Sequence, residues 1–306
     1  MPNLQISVVI PTYNRADLLR YTLESLVLQT LDKQLFEVIV VDDGGSDNSE
    51  QVVQAFSEQL NIKYFWQEDK GFRAGKARNI GTAIAEGQYI IFIDTGVLLG
   101  SKTLEVHAKV HTQSEFPVVI IGYVYGFEVD NSLLAEMSSQ IDYQTPDATI
   151  SRLSLMGAHD IRQQQYDELG DNISNWPAPF DIFWTCHASA ERAQLLKAGL
   201  FDESFNSWGG EDVDLGVRLH LNNNQFSMER EAVSFHWPHK KEVDDQKQQS
   251  EIAALRIHQK YQLWSTSFYG KDLNDEKYSL NKVIKIHRDY AVKKTKRAEL
   301  LETEGA

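Results

Sequence analysis

YIIFIDTGVLLG, residues 89–100, is an apolar run that stops at an aspartate. YIIFI (89–93) reads as a buried strand, and Asp94 stands at its carboxyl end with Gly96 two positions on. Working back toward the amino terminus, the same pattern recurs. ISVVI (6–10) is a β-branched run followed by a turn at Pro11 to Asn14. FEVIVV (36–41) ends in Asp42 and Asp43, and IKYFW (62–66) is a further strand. Helical spacing fills the gaps: 15–30, with Leu18, Leu19, Leu23, Leu26 and Val27 on one face, then 47–60, opened by an Asp47 cap, and 74–86. Forward of Asp94 come a helix over 101–112 and a strand over 117–125. Continuous apolar strands alternating with helices predict an α/β fold with a mainly parallel central sheet covered on both faces. Ligands of such sheets bind outside the carboxyl ends of the strands, where Asp43 and Asp94 stand.

Residues 127–180 break the rhythm. They are polar, rich in Gln and Asp, and read as a long insertion with one helix near 160–169. Regular structure is expected again as a strand at 180–186, a helix near 190–198, a strand at 232–237 and a helix over 245–264. The charged tail after 275, with KKTKR at 293–297, reads as a solvated helix or frayed end.

Composition narrows the class. The chain has 306 residues, 42% of them hydrophobic, enough for a sizeable core. A net charge of -14 argues against a general nucleic-acid binder. The single cysteine, Cys186, excludes an intrachain disulfide and a thiolate-rich metal site, and fits a reducing cytoplasm. No signal peptide is read at the start, and no apolar stretch approaches the roughly 18 to 20 residues of a membrane span. The expected location is cytoplasmic, with peripheral membrane association left open.

Four segments can carry chemistry. VVIPTYNR (8–15) and VVDDGGSDNS (40–49) are strand-to-turn junctions on one predicted edge. Each alone is ordinary turn chemistry. Together they offer carboxylates for a ribose or base N–H and a Tyr13 ring for a base. In EDKGFRAGKARNIG (68–81), Lys76 and Arg78 put positive charge at a helix start, suited to phosphate, without the Walker or GxGxxG spacing. SWGGEDVDLGVRL (207–219) is the most specific stretch. Its glycines let backbone approach a ligand, Trp208 offers a platform for a sugar face, and Glu211 and Asp212 open a helix, where acids are favoured in any case. One such carboxylate near a bound hydroxyl can serve as general base. His236 and His239, in FHWPHK, are weak metal evidence alone.

Taken together, residues 5–240 resemble a family 2 glycosyltransferase of the GT-A fold. The segment GLFDESFNSWGGEDVDLGVRL (199–219) is similar to the corresponding stretch of bacterial chondroitin-type polymerases and β-1,4-galactosyltransferases. The resemblance implies a nucleotide-sugar-binding half at 1–125, an acceptor-binding and catalytic half of the same domain at 126–240, and a helical C-terminal extension at 241–306. It implies a donor site at Pro11, Thr12, Tyr13, Asp42, Asp43, Lys76, Arg78 and Asp94. It implies an acceptor site at Trp208, Gly209 and Glu211, with Asp212 as base. The implied reaction moves a sugar with inversion from a nucleotide-sugar, UDP-linked by prior, to an acceptor hydroxyl on a glycan, lipid-linked sugar, peptide or small molecule.

The chain departs from the family at two places. Cys186 and His187 stand where relatives often have Gly-Asn. Gly96 stands where the Asp-x-Asp pattern has the acid that grips a divalent metal. Manganese or magnesium held by Asp94 and His236 is then expected to be weak or dispensable. Two alternatives stand beside the enzyme: a nucleotide-sugar or glycan-binding protein that lost catalysis with that acid, and a nucleotidyltransferase, for which SWGGED has no clear use.

Overall fold

The computed structural model describes residues 4–126, 131–238, 243–269 and 280–289. Eight strands form one sheet: β1 Ile6–Thr12, β2 Phe36–Asp42, β3 Ile62–Trp66, β4 Tyr89–Ile93, β5 Val97–Leu99, β6 Val118–Tyr125, β7 His187–Glu191 and β8 Gln225–His236. Their order is β3-β2-β1-β4-β7-β6-β8-β5. β1 pairs in parallel with β2 on one side and β4 on the other, so Thr12 lies opposite Asp42 and Val9 opposite Phe92. The carboxyl ends of β2, β1 and β4 therefore share one edge. Beyond β4 the sheet turns: β7 runs antiparallel to β4 and β6, and β8 runs parallel to β6 with an irregularity between Gly122 and Tyr123.

Alternation along the buried strands divides the core into two faces. Val8, Ile10, Val38 and Val40 meet Leu19, Leu23 and Leu26 of α1 (Ala16–Val27), Val53 of α2 (Ser49–Gln54) and Leu104 of α4 (Thr103–Gln113). Val9, Ile39, Val41 and Phe92 meet Ala77 of α3 (Ala74–Ile84) and Leu195 of α8 (Arg192–Ala198). Leu215 of α9 (Glu211–Leu221) and Ile257 of α10 (Val243–Tyr261) join that second face. The mainly parallel sheet with helices on both faces is as expected. Asp47 caps more than one helix: its carboxylate accepts from Ala16 N–H at 2.8 Å and Ser49 N–H at 3.0 Å, the first residues of α1 and α2.

Three expectations are corrected. The stretch at 180–186 is not a strand. It opens with a 3-10 turn, Pro179–Ile182, whose Phe180 and Ile182, with Phe183 beyond, drop into the core, and the strand starts only at His187. An apolar run without regular alternation does not distinguish these outcomes. The insertion holds three helices, α5 (Asn131–Gln140), α6 (Pro146–Leu155) and α7 (Gln163–Leu169), where one was expected. α7 falls where the one helix was expected, and its Tyr166 joins the second face; α5 and α6 pack small apolar faces against Leu98 and Phe235 through Met137, Ile150 and Leu153, too few positions to register as a period. Of the charged tail after 275, the described residues 280–289 are not wholly solvated, because Leu280 and Ile284, with Ile257 of α10, join the second face. KKTKR and His239 lie outside the described residues, and no described helix is long and apolar enough to cross a membrane.

His187, one of the departures from the family pattern, belongs to a buried chain of polar groups. Its Nδ1 lies 2.8 Å from Ser234 Oγ, and its Nε2 lies 3.0 Å from His107 Nε2. His107 Nδ1 and His111 Nε2 both reach Ser189 Oγ at 2.8 Å. Burial holds all three imidazoles below their ordinary pKa, so they are neutral.

Candidate active site

The shared edge brings the first two motifs and IDTG together. Asp43 N–H donates to Thr12 C=O at 2.9 Å, and Thr95 Oγ1 donates to Pro11 C=O at 2.9 Å. The two acids after β2 then separate in role. Asp42 turns inward, accepting from Gly45 N–H at 2.6 Å and Tyr64 Oη at 2.8 Å, and so holds the loop. Asp43 accepts from Gln67 Nε2 at 2.5 Å and Arg73 N–H at 2.7 Å, with the Arg73 guanidinium at 3.3 Å. Burial raises its pKa against these donors. Thr12 is buried with an unpartnered hydroxyl among the described residues. Tyr13 stands out into solvent, 47% exposed, its hydroxyl donating to Asp69 at 3.0 Å. Gln67, Arg73 and Asp69 were missed in the sequence. Asp69 and Arg73 lie in a quoted segment, but no spacing rule singles them out.

Asp94 and the WGGED segment meet through one residue. Arg78, on α3 and 5% exposed at its side chain, reaches Asp94 Oδ1 at 2.7 Å and Glu211 Oε1 at 3.1 Å. Gly209 and Gly210 both have positive φ, +87° and +93°, which swings the chain into α9. A Cβ on Gly210 would lie 2.6 Å from Ala253 Cβ of α10, so α10 braces the turn. Trp208 N–H donates to Gln249 of that helix at 3.0 Å, and Lys260 and Tyr261 reach Asp214 of α9 at 2.7 and 2.9 Å.

Glu211 is buried, and its second oxygen has no partner among the described residues. Asp212 lies deep in the protein yet keeps part of its surface open. Burial raises its pKa well above the carboxylate range; the Glu211 charge adds to this, Asp94 adds less, and Arg78 and Val213 N–H oppose. Three carboxylates sharing one guanidinium leave excess negative charge, which a proton on Asp212 relieves.

Gly96 has a structural reason. Val97 N–H donates to Asp94 C=O at 3.0 Å, closing a tight turn whose third residue is Gly96 at φ +96°. A positive φ at that position is the type II pattern, which glycine fills without strain. A Cβ there would meet Leu18 at an ordinary 3.4 Å, so backbone conformation and not crowding favours glycine. His236 sits at the end of β8, buried, with its Cα opposite Val97. Among the described residues no group of three or more His, Cys, Asp and Glu is placed to hold a metal ion. Asp94 is already paired with Arg78, and Gly96 offers no side-chain oxygen. This donor set does not fit a metal held by the protein alone.

The cations beside the site are unequal. Lys70 pairs with Glu68, Arg73 with Asp43, and Arg78 with Asp94 and Glu211. Lys76, in the first turn of α3, makes no such pair among the described residues.

Comparison with known proteins gives a family, two relatives and two solved structures. A family model described as Glycosyl transferase family 2 matches residues 7–180. Validoxylamine A glucosyltransferase of Streptomyces hygroscopicus subsp. jinggangensis is 36% identical over 237 residues, 77% of this chain and 56% of that protein. Chondroitin synthase of Escherichia coli is 30% identical over 290 residues, covering 91% of this chain and 41% of that protein. The chain thus spans about half the length of these curated relatives. Staphylococcus aureus TarS 1-349 in complex with UDP-GlcNAc has a TM-score of 0.59 at 20% identity, over 83% of this chain and 67% of that one. The mannosyltransferase PcManGT of Pyrobaculum calidifontis, in complex with GDP-Man and Mn2+, has a TM-score of 0.58 at 16% identity, over 84% and 63%. These two structures share the fold, the GT-A architecture that the sequence resemblance implied.

Proposed function

Since the chain belongs to glycosyl transferase family 2, we propose that it is an inverting glycosyltransferase taking a nucleotide-sugar, UDP-linked first, and glycosylating an acceptor hydroxyl. The observation that carries this reading is the half-buried Asp212 next to Glu211, whose carboxylate Arg78 ties to Asp94 at the strand edge. The nucleotide lies along the ends of β1 and β2, with Asp43 and Thr12 on its base and ribose and Tyr13 against the base. The acceptor oxygen attacks the anomeric carbon as the bond from that carbon to the diphosphate oxygen breaks. The electron pair leaves with the diphosphate, and the acceptor proton passes to Asp212. Lys76 and the amino end of α3 face the leaving charge, because Arg78 is committed to carboxylates. No step requires a metal held by the protein.

The named relatives support a UDP donor and a carbohydrate acceptor. They include a validoxylamine A glucosyltransferase, chondroitin synthases and a structure with UDP-GlcNAc. The test is to offer UDP-glucose, UDP-GlcNAc and GDP-mannose with validoxylamine A or simple sugars, and to follow nucleoside diphosphate release and product anomer by proton NMR. A β-linked product from an α-linked UDP donor is expected. An α-linked product would contradict inversion. Tight UDP binding with no turnover on any acceptor would favour the binding-protein alternative.

A further inference from the structure

α9, which carries Asp212, is backed by a wall built from segments far apart in sequence. The 3-10 turn Pro179–Ile182 packs on α9, where a Cβ on Gly216 would come within 3.0 Å of Phe180 C=O. Asp181 of that turn is buried, and its Oδ1 accepts from Tyr269 Oη at 2.7 Å. The Trp184 indole N–H donates to Asp181 C=O at 3.0 Å, and the Arg162 guanidinium sits 5.1 Å over the Trp184 ring. Asn281, fully buried, bonds both ways to the Ala178 backbone, at 2.8 and 3.0 Å. The C-terminal segment is thereby bolted to the turn that carries Asp181.

Trp184 and Tyr269 keep part of their surface open, as do Trp208 and Asp212. Asp94 N–H donates to C=O of Cys186, two residues past Trp184, at 3.2 Å, and Phe180 packs on Gly216, one helical turn past Asp212 on α9, which places this wall beside the base. The Tyr269–Asp181 hydrogen bond fixes the direction of the phenol. With its proton given to Asp181, the Tyr269 oxygen presents lone pairs to a donor hydroxyl. The open Trp184 surface suits the C–H face of a ring. Carboxylates are in excess here: Asp94 and Glu211 share the Arg78 guanidinium, Arg162 is neutralised by Asp160, and Asp181 and Asp212 make no ion pair among the described residues. That disfavours an anionic ring.

We infer that Trp184 and Tyr269, the latter fixed by Asp181, form an acceptor subsite for a neutral or amine-bearing polyhydroxylated ring, and that this subsite rejects uronates. The inference rests on the reading of Asp212 as the base. The experiment is saturation-transfer NMR on the UDP-loaded protein, with glucose, glucosamine and glucuronate as probes. Glucose and glucosamine give ring signals, and glucuronate gives none. Tyr269→Phe weakens glucose binding about five- to tenfold, the loss of one hydrogen bond, and Trp184→Ala abolishes the signal. UDP affinity stays unchanged in Tyr269→Phe, while its thermal midpoint falls because buried Asp181 loses its donor, and Asp181→Asn, which keeps an acceptor for the phenol, retains part of the signal. Equal glucose signals in wild type and Tyr269→Phe, no sugar signal in wild type, or a glucuronate signal as strong as glucose would each overturn the subsite. Asp212→Asn separates the two readings: it keeps the sugar signals while turnover disappears, and normal turnover in it would sink the base assignment alone.

Discussion

Arg78 and Glu211, 133 residues apart in the chain, meet at 3.1 Å inside the protein. The same guanidinium holds Asp94 at 2.7 Å, so the strand edge and the α9 turn are joined at one buried cation. Removing it strands two carboxylates. Arg78→Ala should lower folding stability by about 3–5 kcal/mol, the usual cost of breaking a buried pair from one side. Arg78→Lys should recover only part of this, since one ammonium cannot fork to two carboxylates. Chemical denaturation of both variants checks the ordering.

The pH dependence follows from Asp212. Burial, then the Glu211 charge, raises its pKa, and the base works only when ionised. The acidic limb of kcat/KM should therefore lie well above the value of about 4 typical of a carboxylate. Activity rises as pH climbs through that pKa. Glu211→Gln removes the neighbouring charge and should move the limb to lower pH, whatever it does to the maximum rate. A limb that stays in place would detach the profile from Asp212.

A second pH effect concerns the fold. His107, His111 and His187 are buried neutral, with His111 and His187 pushed down to about 3. Their folded pKa values lie below the unfolded value of about 6.5, so the unfolded chain takes up more protons. Stability is fully present above that unfolded value and falls as pH drops toward the folded ones. The thermal midpoint should fall steeply as pH is lowered below neutrality, and less steeply in His111→Leu, checked by calorimetry across pH.

Donor binding tests the metal question. UDP should bind in EDTA, because the chain supplies no complete metal site among the described residues. Lys76→Ala should weaken that binding about tenfold, the loss of one charged hydrogen bond. Titration calorimetry with EDTA and with manganese reads both. Binding seen only with manganese would mean that Asp94 and His236 hold an ion together with the diphosphate.

The parallel half of the fold was legible because β1, β2 and β4 are continuous apolar runs that need two covered faces, and Asp43 and Asp94 then fall on one edge. The 3-10 turn at Pro179 and the helices α5 and α6 were not legible, since their apolar residues answer to tertiary contacts and carry no period, whereas α7 falls where a helix was expected. The Arg78 junction was half legible: each residue stood in a quoted motif, but no spacing tells which carboxylates it binds. Gly96 read as a missing ligand in sequence and is also the positive-φ residue of a tight turn. Tyr269 and Asp181, 88 residues apart, left no sequence signal.

The central claim is that Asp212 takes the acceptor proton, and the most direct measurement is turnover by Asp212→Asn. UDP release from the accepted donor should fall by about 2 to 4 orders of magnitude, the range for a positioned base, with UDP affinity by calorimetry unchanged. Normal turnover in that variant would contradict the account.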